Sequence, residues 1–300
     1  MLNKNISRVI LGGAGLRTDR CDLNKCLDLY NTAFENGINT FDTAVIYGDS
    51  EIVLGKWIEE KIKLDKDFRE KIVIITKGAH WNVYRKRLTK FDILTDLHDS
   101  LAKSKLNYFD IYLLHRDDIN SPVEPIIDIL NKLTEKNKIK MFGVSNWSHN
   151  RIEAANNYAL KHNLEPIRVS SPHFSLGILN KNFCQEDDIS LCGDNEAQNW
   201  YKNNNILVFP WSSLGQGFFA GRIKYSEKDN AENILGKYLF EVIANEYNFN
   251  ILRELENQAE KENATVMQIA LKKLISTHFK IYPIFSSSNA EHIIEAAKCL

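Results

Sequence analysis

Asp42, Tyr47, Lys77 and His115 are four side chains that could, if brought together, deliver a proton to an oxygen on which negative charge is building. Tyrosine, with an unperturbed pKa of about 10, is a weak acid near neutrality, and a neighbouring lysine ammonium strengthens it by favouring the phenolate. Asp42 paired with Lys77 would keep that ammonium charged and in place. His115 within hydrogen-bonding distance would orient and polarise a substrate carbonyl, leaving Tyr47 to protonate its oxygen. None of the four can supply a hydride, so a reduction needs a separate donor. Each residue alone also has an ordinary use: Asp42 as a helix cap, Lys77 as a solvated strand end, His115 as a core histidine and Tyr47 as loop packing. The chemistry requires that all four converge.

The elements that would position them are short apolar, β-branched runs bounded by turn residues. Eight occur, at 6–13, 38–44, 71–78, 109–115, 138–146, 165–172, 205–212 and 279–287. Asp42, Lys77, His115 and Ser145-Asn146 stand at the ends of four of them. Helical spacing fills most of the gaps. Leu23, Cys26, Leu27, Tyr30, Ala33 and Phe34 form a stripe that begins after Asp22 and stops at Gly37. Ser121 and Glu124, with Pro122 between them, predict a capping box opening a second helix. Runs such as Ile72-Val73-Ile74-Ile75 are apolar on both faces, as parallel strands covered by helices are. Eight β-α units predict an α/β fold, a (β/α)8 TIM barrel in which residues 1–300 form a single domain. In such a barrel the strand ends and following loops hold the active site. Two connections, 177–204 with its acidic Glu186-Asp187-Asp188 and 212–248, are too long for simple turns.

Composition narrows the class further. With 300 residues, 44% hydrophobic, the chain can bury roughly 75% of its unfolded surface without disulfides or metal. Lys and Arg number 38 against 39 Asp and Glu, for a net charge of -1, which gives nucleic acid no electrostatic footprint. Five cysteines at irregular spacing suit reduced thiols and a cytoplasmic location. No apolar run approaches the ~20 residues of a membrane span, and the N-terminus lacks the apolar core of a signal peptide.

Phe41-Asp42-Thr43-Ala44-x-x-Tyr47-Gly48, followed by Ser50-Glu51 and Leu54-Gly55, resembles the signature of the aldo-keto reductase superfamily. Ile74-Ile75-Thr76-Lys77, Asp110-Ile111-Tyr112-Leu113-Leu114-His115 and Gly143-Val144-Ser145-Asn146-Trp147 are similar to three further motifs of that family in the same order, so the resemblance covers nearly the whole chain. It implies an oxidoreductase that transfers a hydride from NADPH, with NADH not excluded, to an aldehyde, ketone or sugar-derived carbonyl, with Tyr47 as proton donor. The cofactor would bind before the carbonyl. The resemblance further implies that Ser145, Asn146 and Ser171 meet the cofactor carboxamide and that Trp211 stacks on the nicotinamide. Ser212, Leu214, Gly215, Gly217 and Arg222 would meet the pyrophosphate, and Ser286, Ser288, His292 and Glu295 the adenosine end.

Several positions depart from the family pattern: Ser286 stands where Gly is frequent, Ser288 where Arg or Lys is, Ser171 where Gln is, Phe174 where Tyr is, and Ala296 where Asn is. The cofactor segment is most similar to the potassium-channel β-subunit-like bacterial branch. Trp81, Trp147, Phe174 and Trp211 could wall the substrate site, with His80, Arg116 and Asp117 as polar options, which favours a polar carbonyl compound. Two rival functions remain open: a cofactor-binding redox-sensing module with negligible turnover, and a lyase forming a Schiff base on Lys77. Gly13-x-Gly15-x-x-Thr18 lacks the third glycine of a dinucleotide fingerprint, and Cys184, Cys192 and His173 lack metal-ligand spacing, so neither is retained.

Overall fold

The computed structural model describes residues 3–181 and 187–299; Cys184 and Glu186 lie outside them. All eight expected runs carry a strand: β1 (Ile10–Gly12), β2 (Thr40–Asp42), β3 (Val73–Gly78), β4 (Phe109–Leu114), β5 (Ile139–Ser145), β6 (Val169–Ser171), β7 (Leu207–Val208) and β8 (Ile284–Phe285). Each is shorter than its run, because the ladder covers only the centre of the run and the ends turn into loops. The strands are parallel and ordered β7-β6-β5-β4-β3-β2-β1-β8. Beyond that ladder, Val208 N donates to Lys280 O at 2.8 Å, Tyr282 N to Val208 O at 2.8 Å and Ile284 N to Pro210 O at 3.0 Å. These bonds join the two outer strands and close the sheet into a (β/α)8 barrel.

Alternation along the strands explains why both faces are apolar. Val73 and Ile75 of β3, Ile111 and Leu113 of β4, and Val169 of β6 pack together inside the barrel. Their neighbours Ile72, Ile74 and Tyr112 belong to the larger core beneath the helices. A period of two then puts Lys77 and His115 on the same face as Ile75 and Leu113, at the end of the barrel where the strands finish.

The helices obey the sequence signals with one exception. Asp22 caps helix Leu23–Glu35 by accepting from Asn24 and Lys25 N–H. The capping box expected from Ser121 and Glu124 does not form. Pro122, at φ -63 and ψ 144, is itself the N-cap and the helix begins at Val123. The Ser121 hydroxyl instead donates to Asp118 Oδ2 at 2.9 Å, which removes it from the helix end. Gly55 marks a helix crossing, where an added Cβ would lie 2.2 Å from the Ser104 carbonyl oxygen. Gly13–Gly15 forms a single 3-10 turn and the next helix starts only at Leu23, so the tight strand-turn-helix of a dinucleotide fingerprint does not form there.

The two long connections are structured. Helix Asn195–Asn204 ends the first. The second folds into short turns and helices that bury Phe218, Phe219, Val242 and Ile243 against Leu252 and Ile269 as a separate apolar cluster. At the opposite end of the barrel, Asp110 is completely buried between Lys4 at 2.9 Å and Arg69 at 2.7 Å, and accepts from Ile74 N–H at 2.9 Å. Replacing Asp110 with Ala strands two cations in a half-dry site and should cost about 3–5 kcal/mol in chemical denaturation. A loss below about 1 kcal/mol would show that the pair contributes little net stability.

Candidate active site

The four proton-transfer candidates meet at the C-terminal mouth of the barrel. Asp42 ends β2, Lys77 lies near the end of β3, His115 follows β4, and Tyr47 sits in the turn after β2. Lys77 Nζ is 2.6 Å from the Asp42 carboxylate, donates to Thr43 O at 3.1 Å, and lies 3.4 Å from Tyr47 Oη. The Tyr47 and His115 rings stand edge to face at 5.8 Å. Asp42 and Lys77 are almost wholly buried, so their attraction acts with little water to screen it.

Burial disfavours the Lys77 charge, but Asp42 and then Tyr47 outweigh it and hold the ammonium above its usual pKa. Burial pushes the Asp42 carboxyl up, and Lys77 opposes that push. For Tyr47, Lys77 pulls downward as the sequence suggests, yet burial is larger and leaves the phenol above its ordinary value. The net direction is therefore the reverse of that expected. His115 is held well below 6.5, first by burial and then by Lys77, His80 and Arg116. It is a neutral imidazole at neutral pH. Its Nδ1 is sealed off without a hydrogen-bond partner among the described residues, which leaves Nε2 to meet a ligand.

Other residues of the same motifs build rather than react. Ser50 Oγ donates to Gly13 O at 2.9 Å and accepts from Thr43 Oγ1 at 3.1 Å. Thr76 Oγ1 donates to the buried Glu51 at 2.6 Å. These bonds fix the helix after Tyr47 against β1 and β3.

A cavity of about 740 Å³ opens over the four residues. Of the cofactor candidates, Ser145, Asn146, Trp211, Ser212, Leu214, Gly217, Arg222, Ser286 and His292 line it. Gly215, Ser171, Ser288 and Glu295 do not. Ser171 faces the barrel interior, fully buried, with its carbonyl accepting from Ser145 Oγ at 2.7 Å and its own hydroxyl without a partner among the described residues. It does not reach the cavity. Ser287, adjacent to Ser288, lines the wall instead. The Glu295 carbonyl is engaged by Gln268 Nε2 at 3.3 Å. Asn146 has a left-handed φ of 58, and its Oδ1 accepts from Trp211 Nε1 and Ile189 N–H, both at 3.3 Å. It positions the indole as well as facing the cavity.

Between Trp211 and Arg222 the backbone turns left-handed at Ser212, Gly215, Gln216, Gly217 and Gly221. Successive amide groups in such a conformation form a concave anion cradle, and an added Cβ at Gly217, with φ +95, would be strained whatever the space. The cradle, the Trp211 face and the serine turn at 286–287 lie along one cavity, an arrangement that fits a long, phosphate-bearing cofactor.

The substrate candidates divide. Trp147 is completely buried, donates from Nε1 to Arg116 O at 3.4 Å and packs under the Arg151 guanidinium, so it is not a wall residue. Trp81 lies outside the cavity lining but beside Arg116, whose guanidinium sits 5.5 Å over its ring. Phe174 packs on Phe279 in the core, and Asp117 is tied to Arg151 at 3.1 Å. His80 and Arg116, the other polar options in the sequence, do line the cavity. Ile46, Gln216 and Met267 line it too, and nothing in their types or spacing signals it.

His173, fully buried behind Trp211, makes the stability pH-dependent. Burial lowers its imidazole from 6.5 to about 4. An unfolded chain takes up the proton first, so the contribution is complete above 6.5 and is lost as pH falls through the folded value, about 3 kcal/mol at most. His115 acts in the same direction. The urea midpoint should drop between about pH 7 and about pH 4.5, and drop less in His173→Asn. Equal drops in the two proteins would refute the assignment.

Among the described residues no group of three His, Cys, Asp or Glu is placed to hold a metal, and no helix is long and apolar enough to cross a membrane. Residues 8–300 match the model of the aldo/keto reductase family. A Schizosaccharomyces pombe protein named for a voltage-gated potassium channel subunit beta is 28% identical over 322 aligned positions, covering 99% of this chain and 89% of its own. A Glycine max protein named for aldo-keto reductase 1 is 26% identical over 289 positions, covering 94% of this chain and 77% of its own.

Proposed function

The chain belongs to the aldo/keto reductase family, a family of oxidoreductases, and on that premise we propose that it reduces a small aldehyde, ketone or sugar-derived carbonyl compound with NADPH. The observation that carries this reading is the buried ion pair itself, with Lys77 Nζ 2.6 Å from Asp42 and 3.4 Å from Tyr47 Oη beside a neutral His115. The reduced nicotinamide, when bound, supplies the hydride. Neutral His115 donates a hydrogen bond to the carbonyl oxygen and fixes its direction. As charge grows on that oxygen, Tyr47 gives up its proton, and the adjacent Lys77 ammonium stabilises the phenolate left behind. Asp42 keeps Lys77 charged and pointed at the phenol.

The resting pKa of Tyr47 supports this division of labour. A phenol raised by burial holds its proton until an alkoxide, a far stronger base, forms beside it. Trp211, Asn146 and Ser145 would hold the nicotinamide end, the turn from Ser212 to Gly217 with Arg222 the phosphates, and Ser286, Ser287 and His292 the adenosine end.

Schiff-base chemistry on Lys77 is disfavoured, because its partners keep the amine protonated and a protonated amine is no nucleophile. The relative named for a channel subunit keeps a second reading in view, a cofactor-holding redox sensor with slow turnover. The complete proton-donor set favours turnover. Titration with NADPH and with NADH, read by tryptophan fluorescence, tests the cofactor half directly. Tighter binding of NADPH is expected, and binding of neither would overturn the reading.

A further inference from the structure

Arg116 is a cation at the reacting end of the cavity that the proton-transfer set does not use. It follows His115 directly, is only 8% exposed and lines the cavity. Its Nη1 is paired with Asp188, whose side chain is buried. Its Nε lies 3.5 Å from His80 Nε2, and the His80 ring stands 4.9 Å from the His115 ring. Its Nη2 makes no hydrogen bond to any described residue. A guanidinium carries five donors, and the two on Nη2 are left facing the cavity that Arg116 lines, where water or a ligand must take them.

The surrounding groups determine what that ligand is. His80 Nδ1 is 2.8 Å from Trp81 O and therefore carries the ring proton, so Nε2 is an acceptor already facing Arg116. His80 offers the cavity no donor. Among the described residues the charges at this end are matched, Lys77 by Asp42 and Arg116 by Asp188, while His80 and His115 sit below their usual pKa and are neutral. An anionic group would lose its hydration without meeting a net positive charge. A hydroxyl oxygen loses less and gains a charge-assisted bond.

We propose that Arg116 is a specificity-determining residue whose Nη2 donates to a neutral hydroxyl oxygen on a carbon next to the substrate carbonyl. The site then selects hydroxyaldehydes and hydroxyketones over alkyl carbonyls of the same length and over oxo-acids. This rests on the carbonyl-reductase reading above.

The test compares kcat/KM for glyceraldehyde, propanal and succinic semialdehyde, corrected for hydration, in wild type, Arg116→Lys and Arg116→Met. Arg116→Lys keeps a cation against Asp188 but spends its one ammonium there, so the variant folds even if Arg116→Met does not. Wild type should prefer glyceraldehyde to propanal by about tenfold or more, the size expected of one hydrogen bond to a charged donor. Arg116→Lys should erase that preference through a higher KM for glyceraldehyde, with propanal changed less than about threefold. Equal losses for both aldehydes would mean that Arg116 merely holds Asp188 in place, and would overturn the proposal. So would a wild-type preference for succinic semialdehyde. Reduction of none of the three would instead bring down the reductase reading, and this inference with it.

Discussion

Tyr47→Phe should lower carbonyl reduction by about 100-fold or more while leaving cofactor affinity nearly unchanged, since loss of a positioned general acid typically costs that much. The change removes one partly buried oxygen whose one hydrogen bond among the described residues is the 3.4 Å contact with Lys77. Phenylalanine keeps the ring, and with it the edge-to-face contact with His115 at 5.8 Å and the position of Lys77 Nζ 4.8 Å over its centre. The effect therefore falls on kcat and not on folding. Single-turnover rates with the variant preloaded with NADPH would separate the chemical step from product release. An undiminished rate would remove Tyr47 from the mechanism and leave water or His115 as the donor.

Lys77→Met should be at least as damaging to turnover and should also destabilise the fold. Two effects combine. The phenol loses the ammonium that stabilises its conjugate base, and Asp42 is left buried with no opposing charge. Breaking a buried pair in this way costs about 3–5 kcal/mol, somewhat less here because an unopposed Asp42 takes up a proton as burial already urges. The pH dependence has a definite sign. Lys77 is raised in the folded state, so its stabilising contribution is complete below the unfolded value of 10.5 and is lost as pH rises through the higher folded value. The stability gap between wild type and variant should thus be flat through neutrality and close only in strong alkali. A variant with wild-type stability and a normal pH-rate profile would contradict both roles.

The barrel was legible because its strands are buried on both faces, so runs such as Ile72-Val73-Ile74-Ile75 stand out from the polar helix surfaces around them. The reacting residues were legible for a related reason. Lys77, His115 and Ser145 are polar residues at the ends of apolar strands, where alternation aims them into the mouth. What the sequence hid is set by long-range packing. Trp147 follows Asn146 directly but points away from the cavity into the helix layer, and no local pattern distinguishes that from a wall position. The partner of Arg116 lies 72 residues away on the loop before Leu191, and nothing in the spacing joins them. Ser121 matched a capping pattern, yet a nearby Asp118 took its hydroxyl first. The pull of Lys77 on Tyr47 was readable from residue types, whereas the larger opposing push depends on how completely the mouth is sealed.

The most direct test of the central claim is transfer of deuterium from NADPH labelled at the nicotinamide C4 to an aldehyde, followed by mass analysis of the alcohol. Carbonyl reduction at this site predicts an alcohol carrying one deuterium on the former carbonyl carbon, formed in step with loss of the reduced nicotinamide absorbance and suppressed in Tyr47→Phe. Oxidation of NADPH without a labelled alcohol, or no oxidation across a broad carbonyl panel despite tight cofactor binding, would contradict it and leave the cofactor-holding sensor as the account that fits the geometry.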